Sequence, residues 1–597
     1  MAEYIAPTRE MKFVLKDVID IGEVTALERF QDASDDIIDA VLEEAGKFCG
    51  EVLSPLNVVG DREGAKLTDD GVKPAPGFKE AYAAYAANGW TSVSGDVDYG
   101  GQGLPLTLAS AVYEFVDASN MAFSLCSMLT TGAVEAIAAH GSEEQKNTYL
   151  EKMISGEWAG SMNLTEPNAG TDVGALRTKA EPGHDGSYRI SGQKIFITWG
   201  DHDMTENIIH LVLARTPGSP AGTRGISLFI VPKFLINEDG TLGARNDAKC
   251  VSLEHKLGIH GSPTCVMAFG EEDNCIGYML GVENKGMAAM FTMMNNARLN
   301  VGIQGVGSAE RAWQMAVTYA KDRVQGKAIG ASAPGPSAII EHANVRRMLM
   351  TIKSTTEAAR AITMLNAKAL DLGSHHPDPD LRQKYSGLAD LLTPLSKAYG
   401  SDMGVDNASL ALQIHGGMGF IEETGIAQVY RDTRINPIYE GTNGVQAMDL
   451  VGRKLSMAGG THWRAFLDEI ATFGGGLPDT AEFDSLKKSL LQAVDVTREC
   501  GEWILAQHMD NMRSALAGSS PFLRLFSVTV GCYLLSKGAL AARNRLESGD
   551  GDRDFLEAKI ITARFYGEQI VPQALGLKST IMAGDDLFFA IATENMS

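Results

Sequence analysis

The chain has 597 residues, of which 44% are hydrophobic and 21% are charged, and its formal net charge at pH 7 is -23. Single hydrophobic cores rarely grow beyond about 250–300 residues, so this length predicts several domains. The hydrophobic and charged fractions are typical of a folded globular protein and not of a disordered one. The strongly negative charge argues against nucleic acid or an anionic membrane surface as the main partner.

Cysteine usage and the first residues bear on the cellular compartment. The seven cysteines are scattered along the chain and include no CxxC pair, which favours a reducing compartment with free thiols. The first residues lack both the apolar core of a signal peptide and the arginine-rich character of a transit peptide. We also find no continuous run of about eighteen apolar residues. The sequence therefore predicts a cytoplasmic protein without a membrane span.

Hydrophobic periodicity predicts an α, then β, then α order along the chain. The first part is helical, with an apolar face at residues 37, 38, 41, 42, 45 and 48. Alternating or β-branched runs at 188–190, 194–198, 208–214 and 226–231 predict strands of a β domain over residues 159–280. The helical period returns at Gly286 and persists, with glycine-rich linkers predicted at 459–460 and 474–478.

The segment 411–455 contains the first candidate for chemistry, Glu440. This residue lies between apolar neighbours and a run of small residues, GTNG. Glycines allow a backbone to approach a ligand closely, and removal from water raises the pKa of a carboxyl, which suits a general base. The commoner interpretation of a lone glutamate before Gly-Thr is a solvated residue at a helix start, with Thr442 or Asn443 as the cap.

A second candidate segment covers residues 158–173 and contains TEPNAGTD. Its small and hydroxyl residues are able to offer N–H and O–H groups to a heterocycle or a phosphate, although a turn rich in Asn, Gly and Pro needs no function. Further along, Phe196 and Thr198 fit a strand that requires no ligand. The pairs His375–His376 and His255–His260 lack the partner spacing of a metal site, so we predict no metal.

These segments together resemble the acyl-CoA dehydrogenase family. QIHGGMGF opens at Gln413, IYEGT opens at Ile438, and TEPNAGTD is similar to the TEPxAGSD segment of the family. The resemblance covers roughly residues 40–455, and the tail is similar to that of larger members. It implies a mostly helical α+β fold with an N-terminal helical domain (1–158), a middle β-barrel-like domain (159–280), a C-terminal helical bundle (281–458) and an additional helical domain (459–597).

The resemblance also implies a reaction. Glu440 is the expected base that takes the α-proton of an acyl-CoA thioester while N5 of FAD accepts the β-hydride, which gives a trans-2-enoyl-CoA. The Glu440 N–H and a ribityl hydroxyl of FAD are expected to hold the thioester carbonyl. Electrons are expected to pass to an electron-transfer flavoprotein. Because both subunits contribute to each FAD in this family, the resemblance implies a homo-oligomer, a dimer or a tetramer.

Site residues are carried over by their match to the family motifs. The expected FAD contacts are Met162, Leu164, Thr165, Thr171, Phe196, Thr198, Arg323, Gln325, Gln413, Gly416, Gly417, Thr442 and Asn443. The expected substrate contacts are Thr171, Asn295, Arg298 and Gly441. The chain departs from the family pattern at four positions, with Thr171 for Ser, Phe196 for Trp, Asn295 for Asp and Gly326 for Phe.

Within the family, the sequence is most similar to the branch that contains 3-methylmercaptopropionyl-CoA dehydrogenases. The resemblance rests on FVLKDVID near the N-terminus, on KLGIHGSPTC and on the helical tail. It implies oxidation of 3-(methylthio)propanoyl-CoA to 3-(methylthio)acryloyl-CoA in bacterial dimethylsulfoniopropionate breakdown. The alternatives are a short- or medium-chain fatty acyl-CoA dehydrogenase of β-oxidation, an acyl-CoA oxidase, and a non-catalytic scaffold. The presence of Glu440, Thr165, Thr198 and Arg323 argues against the scaffold.

Overall fold

The computed structural model of the chain describes residues 3–332 and 334–596. Its N-terminal part is helical, as predicted, apart from a short hairpin between the fourth and fifth helices. The helices are α1 (Thr8–Phe13), α2 (Gly22–Thr25), α3 (Asp35–Phe48), α4 (Ser54–Glu63), α5 (Phe78–Ala87), α6 (Leu106–His140) and α7 (Glu143–Ile154). The hairpin consists of β1 (Lys66–Thr68) and β2 (Gly71–Lys73).

The apolar face predicted for α3 is narrower in the structure. Ile38, Leu42 and Ala45 are buried, whereas Ile37 is 43% exposed. The long α6 is interrupted at Asn120, whose φ of -159° and ψ of 87° are not helical. The Asn120 side chain accepts a hydrogen bond from the Phe123 N–H at 3.1 Å, which caps the second half of the helix.

The middle of the chain forms the predicted β domain. Its strands are β3 (Trp158–Asn163), β4 (Lys179–Pro182), β5 (Tyr188–Thr198), β6 (Asn207–Ala214), β7 (Ser227–Pro232), β8 (Phe234–Ile236), β9 (Leu242–Arg245), β10 (Ala248–Leu253), β11 (Thr264–Phe269) and β12 (Ile276–Leu280). The main sheet has the order β10-β11-β5-β12-β7-β6-β3, with β4 paired to β5, and β8 pairs with β9. All of these pairs are antiparallel except β3 with β6.

The two short strands predicted at 188–190 and 194–198 are one continuous strand, β5. Gly192 lies between them with a φ of +153°, and a Cβ at this position would approach Thr178 Oγ1 to 2.5 Å. The glycine therefore permits a close approach of neighbouring chain segments within the strand. Ile190, Ile197, Val212 and Phe229 are among the side chains that fill the core of this domain.

The C-terminal part is helical, with α8 (Gly286–Asp322), α9 (Ala343–His375), α10 (Pro379–His415), α11 (Ile426–Thr433), α12 (Asn443–Asp449), α13 (Thr461–Gly475), α14 (Asp484–Asp510), α15 (Met512–Ala517), α16 (Ser519–Ser548), α17 (Arg553–Phe565), α18 (Val571–Leu575) and α19 (Lys578–Ile581). The helical period predicted to return at Gly286 is confirmed. One expectation is corrected, because Gly474 and Gly475 end α13 and are not part of a linker.

The chain divides into two compact units that do not follow chain order. One, the helical unit, comprises Met1–Gly46, Leu106–Ala118 and Arg298–Ser597. The other, the mixed unit, comprises Lys47–Pro105 and Ser119–Ala297 and contains the sheet. The helices α3, α6 and α8 each contribute to both units.

Within the helical unit, glycines bring α8 and α10 into backbone contact. A Cβ on Gly305 would lie 2.1 Å from the Gly400 carbonyl oxygen, and one on Gly302 would lie 2.4 Å from the Ser396 oxygen. No larger residue fits at these positions without moving a backbone. The two helices therefore cross with their axes close together, and this crossing fixes the side chains that both present nearby.

Among the helices of the described residues, α6 and α16 have the length and apolar composition of a membrane span. The most apolar windows of these helices are 78% and 83% buried within the structure, respectively. Such burial is a property of core helices, which pass the same test of length and composition. Both helices reach this mean hydropathy although neither contains a continuous run of eighteen apolar residues.

Candidate active site

Glu440 lies in the loop between α11 and α12, in a conformation that disfavours most residues. Its φ is +55°, and Gly441 follows with a φ of +82°. A non-glycine residue in this region stores strain that the surrounding structure must offset, and such residues cluster at functional sites. Thr442 caps α12 by accepting a hydrogen bond from the Val445 N–H at 3.2 Å. The helix cap predicted here is thus confirmed, but Glu440 itself precedes the helix.

Asn443 anchors the Glu440 loop to α10. Its side-chain oxygen accepts a hydrogen bond from Lys397 Nζ at 2.9 Å. Its side-chain nitrogen donates to Asp402 Oδ1 at 2.6 Å, to Ser401 Oγ at 3.0 Å and to the Ala398 carbonyl at 3.2 Å. We refer to these five residues as the Asn443 clamp. These hydrogen bonds occupy the side chain, and the cofactor contact predicted for Asn443 stays a prediction.

Two cations act on Glu440. Arg298 on α8 is 6% exposed, and its Nη1 lies 3.8 Å from Asp449 Oδ2. Lys397 on α10 is completely buried. Burial raises the pKa of Glu440 to about 7, against the opposite effects of Arg298 and then Lys397. A carboxyl with this pKa exchanges protons near neutral pH, as a general base does.

Tyr439 precedes Glu440 and is also tied to α8. Its hydroxyl donates to Gln304 Oε1 and, at 3.3 Å, to Asn436 Oδ1. Burial raises the pKa of the Tyr439 phenol well above its usual value, so the hydroxyl stays protonated. Hydrogen bonds thus hold Tyr439 before Glu440 and Thr442 after it, and the Gln446 side chain donates to the Glu440 carbonyl at 3.3 Å.

A second group of predicted residues lies at the end of β3 in the mixed unit. Met162, Leu164 and Thr165 are half-buried. The buried Lys194 on β5 donates to the Leu164 carbonyl at 3.0 Å and to Glu166 Oε1 at 2.8 Å. Burial lowers the pKa of Lys194 to about 8, against the effect of Glu166. This ion pair holds the segment after β3 against β5.

Phe196 and Thr198 end β5 close to this segment. The Ile195 N–H donates to the Thr165 carbonyl at 2.9 Å, which joins the two stretches directly. Phe196 is 59% exposed and has a φ of +59°, although aromatic residues in strands usually bury their rings. An exposed ring held by a strained backbone is the arrangement expected of a surface that receives a ligand.

The remaining predicted residues are exposed. Thr171 lies in the loop after β3, and Asn295 lies on the exposed face of α8. Arg323 and Gln325 follow α8, with Arg323 Nη2 3.4 Å from Gln325 Oε1. Gln413 lies in the last turn of α10, and Gly416 and Gly417 follow this helix with no heavy atom within 4 Å of a Cβ position. Within residues 3–332 and 334–596, no group of His, Cys, Asp or Glu side chains is arranged to hold a metal ion.

Sequence reasoning did not single out Lys397, Asp449 or Lys194. A signal was available for Lys397, because it is the one charged residue in the stretch LLTPLSKAYG of α10. A lysine in such a run is almost never fully buried unless it has partners. The partners themselves come from distant segments, which the sequence does not bring together.

Comparisons with known proteins agree along nearly the whole chain. Residues 39–157, 161–271 and 284–455 match the N-terminal, middle and C-terminal domains of acyl-CoA dehydrogenases, and residues 466–592 match a domain described as "Acetyl-CoA dehydrogenase C-terminal like". The 3-methylmercaptopropionyl-CoA dehydrogenase of Ruegeria pomeroyi is 45% identical over 98% of this chain and 99% of its own length.

Two further similarities cover nearly the full length. A butyryl-CoA dehydrogenase of Syntrophomonas wolfei is 39% identical over 98% of this chain and 97% of its own length. The crystal structure of an acyl-CoA dehydrogenase from Bacillus anthracis, complexed with FAD, superimposes with a TM-score of 0.74 at 20% identity, over 97% of this chain and 93% of that one.

Proposed function

Because the chain belongs to the acyl-CoA dehydrogenase family and is therefore an FAD-dependent oxidoreductase of acyl-CoA thioesters, we propose that Glu440 is its catalytic base and 3-(methylthio)propanoyl-CoA its substrate. The proposal for the base is carried by one observation. Glu440 is held in a strained loop, flanked by hydrogen-bonded neighbours, with its pKa raised by burial to about 7.

Glu440 would remove the α-proton of the bound thioester. The carboxylate must be ionised to do so, and Arg298 and Lys397 stabilise that ionised form. The Glu440 backbone N–H is a donor for the thioester carbonyl, where negative charge develops as the proton leaves. Bound FAD supplies the acceptor for the hydride of the β-carbon. The protein itself orients the substrate, holds the proton on Glu440 and excludes water.

The residues predicted to hold FAD offer groups that suit its flavin ring and its phosphates. In the mixed unit, Thr165 and Thr198 are half-buried hydroxyls beside the exposed ring of Phe196, a set that offers hydrogen bonds and a stacking face to a flat heterocycle. In the helical unit, Gly416 and Gly417 leave their backbone open to a ligand. Arg323 is an exposed guanidinium, a group that binds phosphate oxygens bidentately.

The relatives support a short acyl group. The Ruegeria protein is named for 3-methylmercaptopropionyl-CoA and is 45% identical, whereas the Syntrophomonas proteins named for butyryl-CoA are 37% and 39% identical. Butanoyl-CoA is therefore the second candidate substrate. We further propose an electron-transfer flavoprotein as the acceptor, a homo-oligomeric assembly and a cytoplasmic location, in keeping with the family.

Anaerobic reduction of the flavin tests the substrate. Purified protein would be mixed with 3-(methylthio)propanoyl-CoA, butanoyl-CoA, octanoyl-CoA and hexadecanoyl-CoA. Pentanoyl-CoA is the matched control, because its acyl chain has the same length and carries a methylene group in place of the thioether sulfur. We expect 3-(methylthio)propanoyl-CoA to bleach the flavin faster than pentanoyl-CoA. Faster bleaching by butanoyl-CoA than by either would select the second candidate, and rapid hydrogen peroxide formation in air would indicate an oxidase.

A further inference from the structure

Lys397 occupies the most deeply buried stretch of α10. All residues from 391 to 400 are buried, and the lysine side chain has no solvent exposure. Burying an ammonium group is costly unless acceptors or charges surround it. Packing alone therefore does not account for a lysine here, where an apolar side chain of similar length would fill the same space.

The partner of Lys397 belongs to the catalytic loop. Its Nζ donates to Asn443 Oδ1 at 2.9 Å, and Asn443 is three residues beyond Glu440. The amide nitrogen of Asn443 is bound in turn by Asp402 and Ser401 of α10. The lysine is thus the donor that completes the Asn443 clamp and joins the Glu440 loop to the helix.

We propose that Lys397 is a positioning residue for the Glu440 base. Lys397 fixes the Glu440 loop through Asn443 and places a buried positive charge beside the Glu440 carboxylate. This inference rests on the assignment of Glu440 as the base. It gives Lys397 a part in the reaction that the family motifs quoted above do not include.

The two cations near Glu440, Arg298 and Lys397, differ in their contacts with carboxylates. Arg298 lies 3.8 Å from Asp449, which also pairs with Arg453 at 2.8 Å. Lys397 is instead hydrogen-bonded to a neutral amide. The negative charge of Asp402 on α10 favours the protonated form of Lys397, and Arg524 of α16 in turn favours the ionised form of Asp402.

The titration of both groups supports this arrangement. Burial lowers the pKa of Lys397 to about 7, with Glu440 as the largest opposing influence. Burial raises the pKa of Glu440 to about 7. Two interacting groups that titrate over the same range share their apparent pKa values, so a change at the lysine must alter the pH profile of the base.

The test compares the pH profile of flavin reduction in Lys397→Met and Lys397→Gln with that of the unmodified protein. The acid limb of this profile is the range in which the rate of flavin reduction rises with pH as Glu440 ionises. Removing an opposite charge near a carboxyl raises the pKa of that carboxyl, so the acid limb should lie about one pH unit higher in both variants. At pH values well below the limb, each variant should reduce its flavin about tenfold more slowly than the unmodified protein. Glutamine keeps a hydrogen-bond donor without the charge, and it also serves if the methionine variant does not fold.

Lys368→Met is the matched control. Lys368 on α9 is also buried, but its Nζ donates to the carbonyls of Ile19 and Asp20 at 2.5 and 2.9 Å. Its removal should lower the thermal midpoint and leave the acid limb in place. A Lys397→Met or Lys397→Gln protein that retains flavin and whose acid limb lies within about 0.3 pH unit of the unmodified protein would overturn the proposal.

Asn443→Ala separates the two parts of the role. It keeps the lysine but releases the loop, so flavin reduction should be slower at every pH while the acid limb stays near its original position. Unchanged rates in a flavin-containing Asn443→Ala protein would remove the positioning role. If Glu440→Gln were fully active, the assignment of the base would be wrong, and that result is distinct from failure of the lysine proposal.

Discussion

Glu440 combines three properties that a lone glutamate on a surface would not have. Its backbone is strained, with a φ of +55°, its neighbours are hydrogen-bonded, and it is flanked by two buried cations, Arg298 and Lys397. Burial and the two cations act on its pKa in opposite directions. The balance leaves the carboxyl ionised for a substantial fraction of the time at neutral pH, yet basic enough to accept a proton.

The pKa of Glu440 predicts how the reaction depends on pH. The pKa is raised to about 7, and only the ionised carboxylate accepts the α-proton. The rate of anaerobic flavin reduction should therefore rise with pH through about 7 and level off above it. Stopped-flow measurements from pH 5 to pH 9 check this, with flavin content measured at each pH as a control. A limb near the usual pKa of a glutamate, about 4.3, would mean that Glu440 is solvated.

At this scale the sequence singled out Glu440 but not its surroundings. Apolar neighbours and small residues predicted that Glu440 is withdrawn from water, and in the structure the residue is half-buried with a raised pKa. Lys397 precedes it by forty-three positions in the chain, and no local pattern connects two residues so far apart. The family motifs locate Arg298 but not Asp449, the carboxylate closest to it in the structure.

At the scale of elements, β5 connects the predicted flavin segment to the sheet. Lys194 on this strand is fully buried and pairs with Glu166, which is 4% exposed. Burial alone would raise the pKa of Glu166, but Lys194 and the Thr178 and Arg177 donors outweigh it and lower the pKa. The pair thus holds the Leu164–Thr165 stretch in place through charge as well as hydrogen bonds.

Replacing Lys194 should loosen this connection. Lys194→Met leaves Glu166 buried without its partner, which typically costs about 3–5 kcal/mol. We expect a lower thermal midpoint and a loss of bound flavin, measured by the ratio of flavin to protein absorbance. Lys249→Met is the control, because Lys249 pairs with Glu271 at an exposed position of β10. Full flavin content in Lys194→Met would show that the segment does not depend on this ion pair.

The sequence predicted the elements better than their contacts. Periodicity marked the strands and the long helices, since it follows from the 2.0 and 3.6 residue repeats. It also placed the return of the helical period at Gly286, where α8 begins. The crossing of α8 and α10 depends on Gly302, Gly305 and Gly400, which read in sequence only as weak points of a helix.

At the scale of the molecule, buried charges join the first helix to distant parts of the helical unit. Lys559 of α17 pairs with Glu10 of α1 and, at 3.0 Å, with Glu357 of α9, which Lys353 also contacts at 2.5 Å. Breaking a buried pair of this kind is strongly destabilising. The additional C-terminal helices are therefore integrated into the helical unit by charge as well as by packing.

The predicted division into four consecutive domains stays a prediction. The family resemblance gave the order of helical and β segments correctly, and the matched domains follow that order. Compactness divides the chain differently, because α3, α6 and α8 each contribute to both units. A sequence pattern shows where helical and β segments lie along the chain. It does not show which distant segments pack together into one compact unit, because that depends on tertiary contacts.

The central claim is that Glu440 is the base of an acyl-CoA dehydrogenase. The most direct test is anaerobic mixing of Glu440→Gln with 3-(methylthio)propanoyl-CoA, with Glu423→Gln as the control at an exposed position of the preceding loop. Glutamine keeps the size of the side chain but cannot accept the proton. We predict that both variants retain flavin, that Glu423→Gln bleaches like the unmodified protein, and that Glu440→Gln bleaches at least a thousandfold more slowly, about 4 kcal/mol of barrier. Bleaching of Glu440→Gln at the unmodified rate would contradict the assignment.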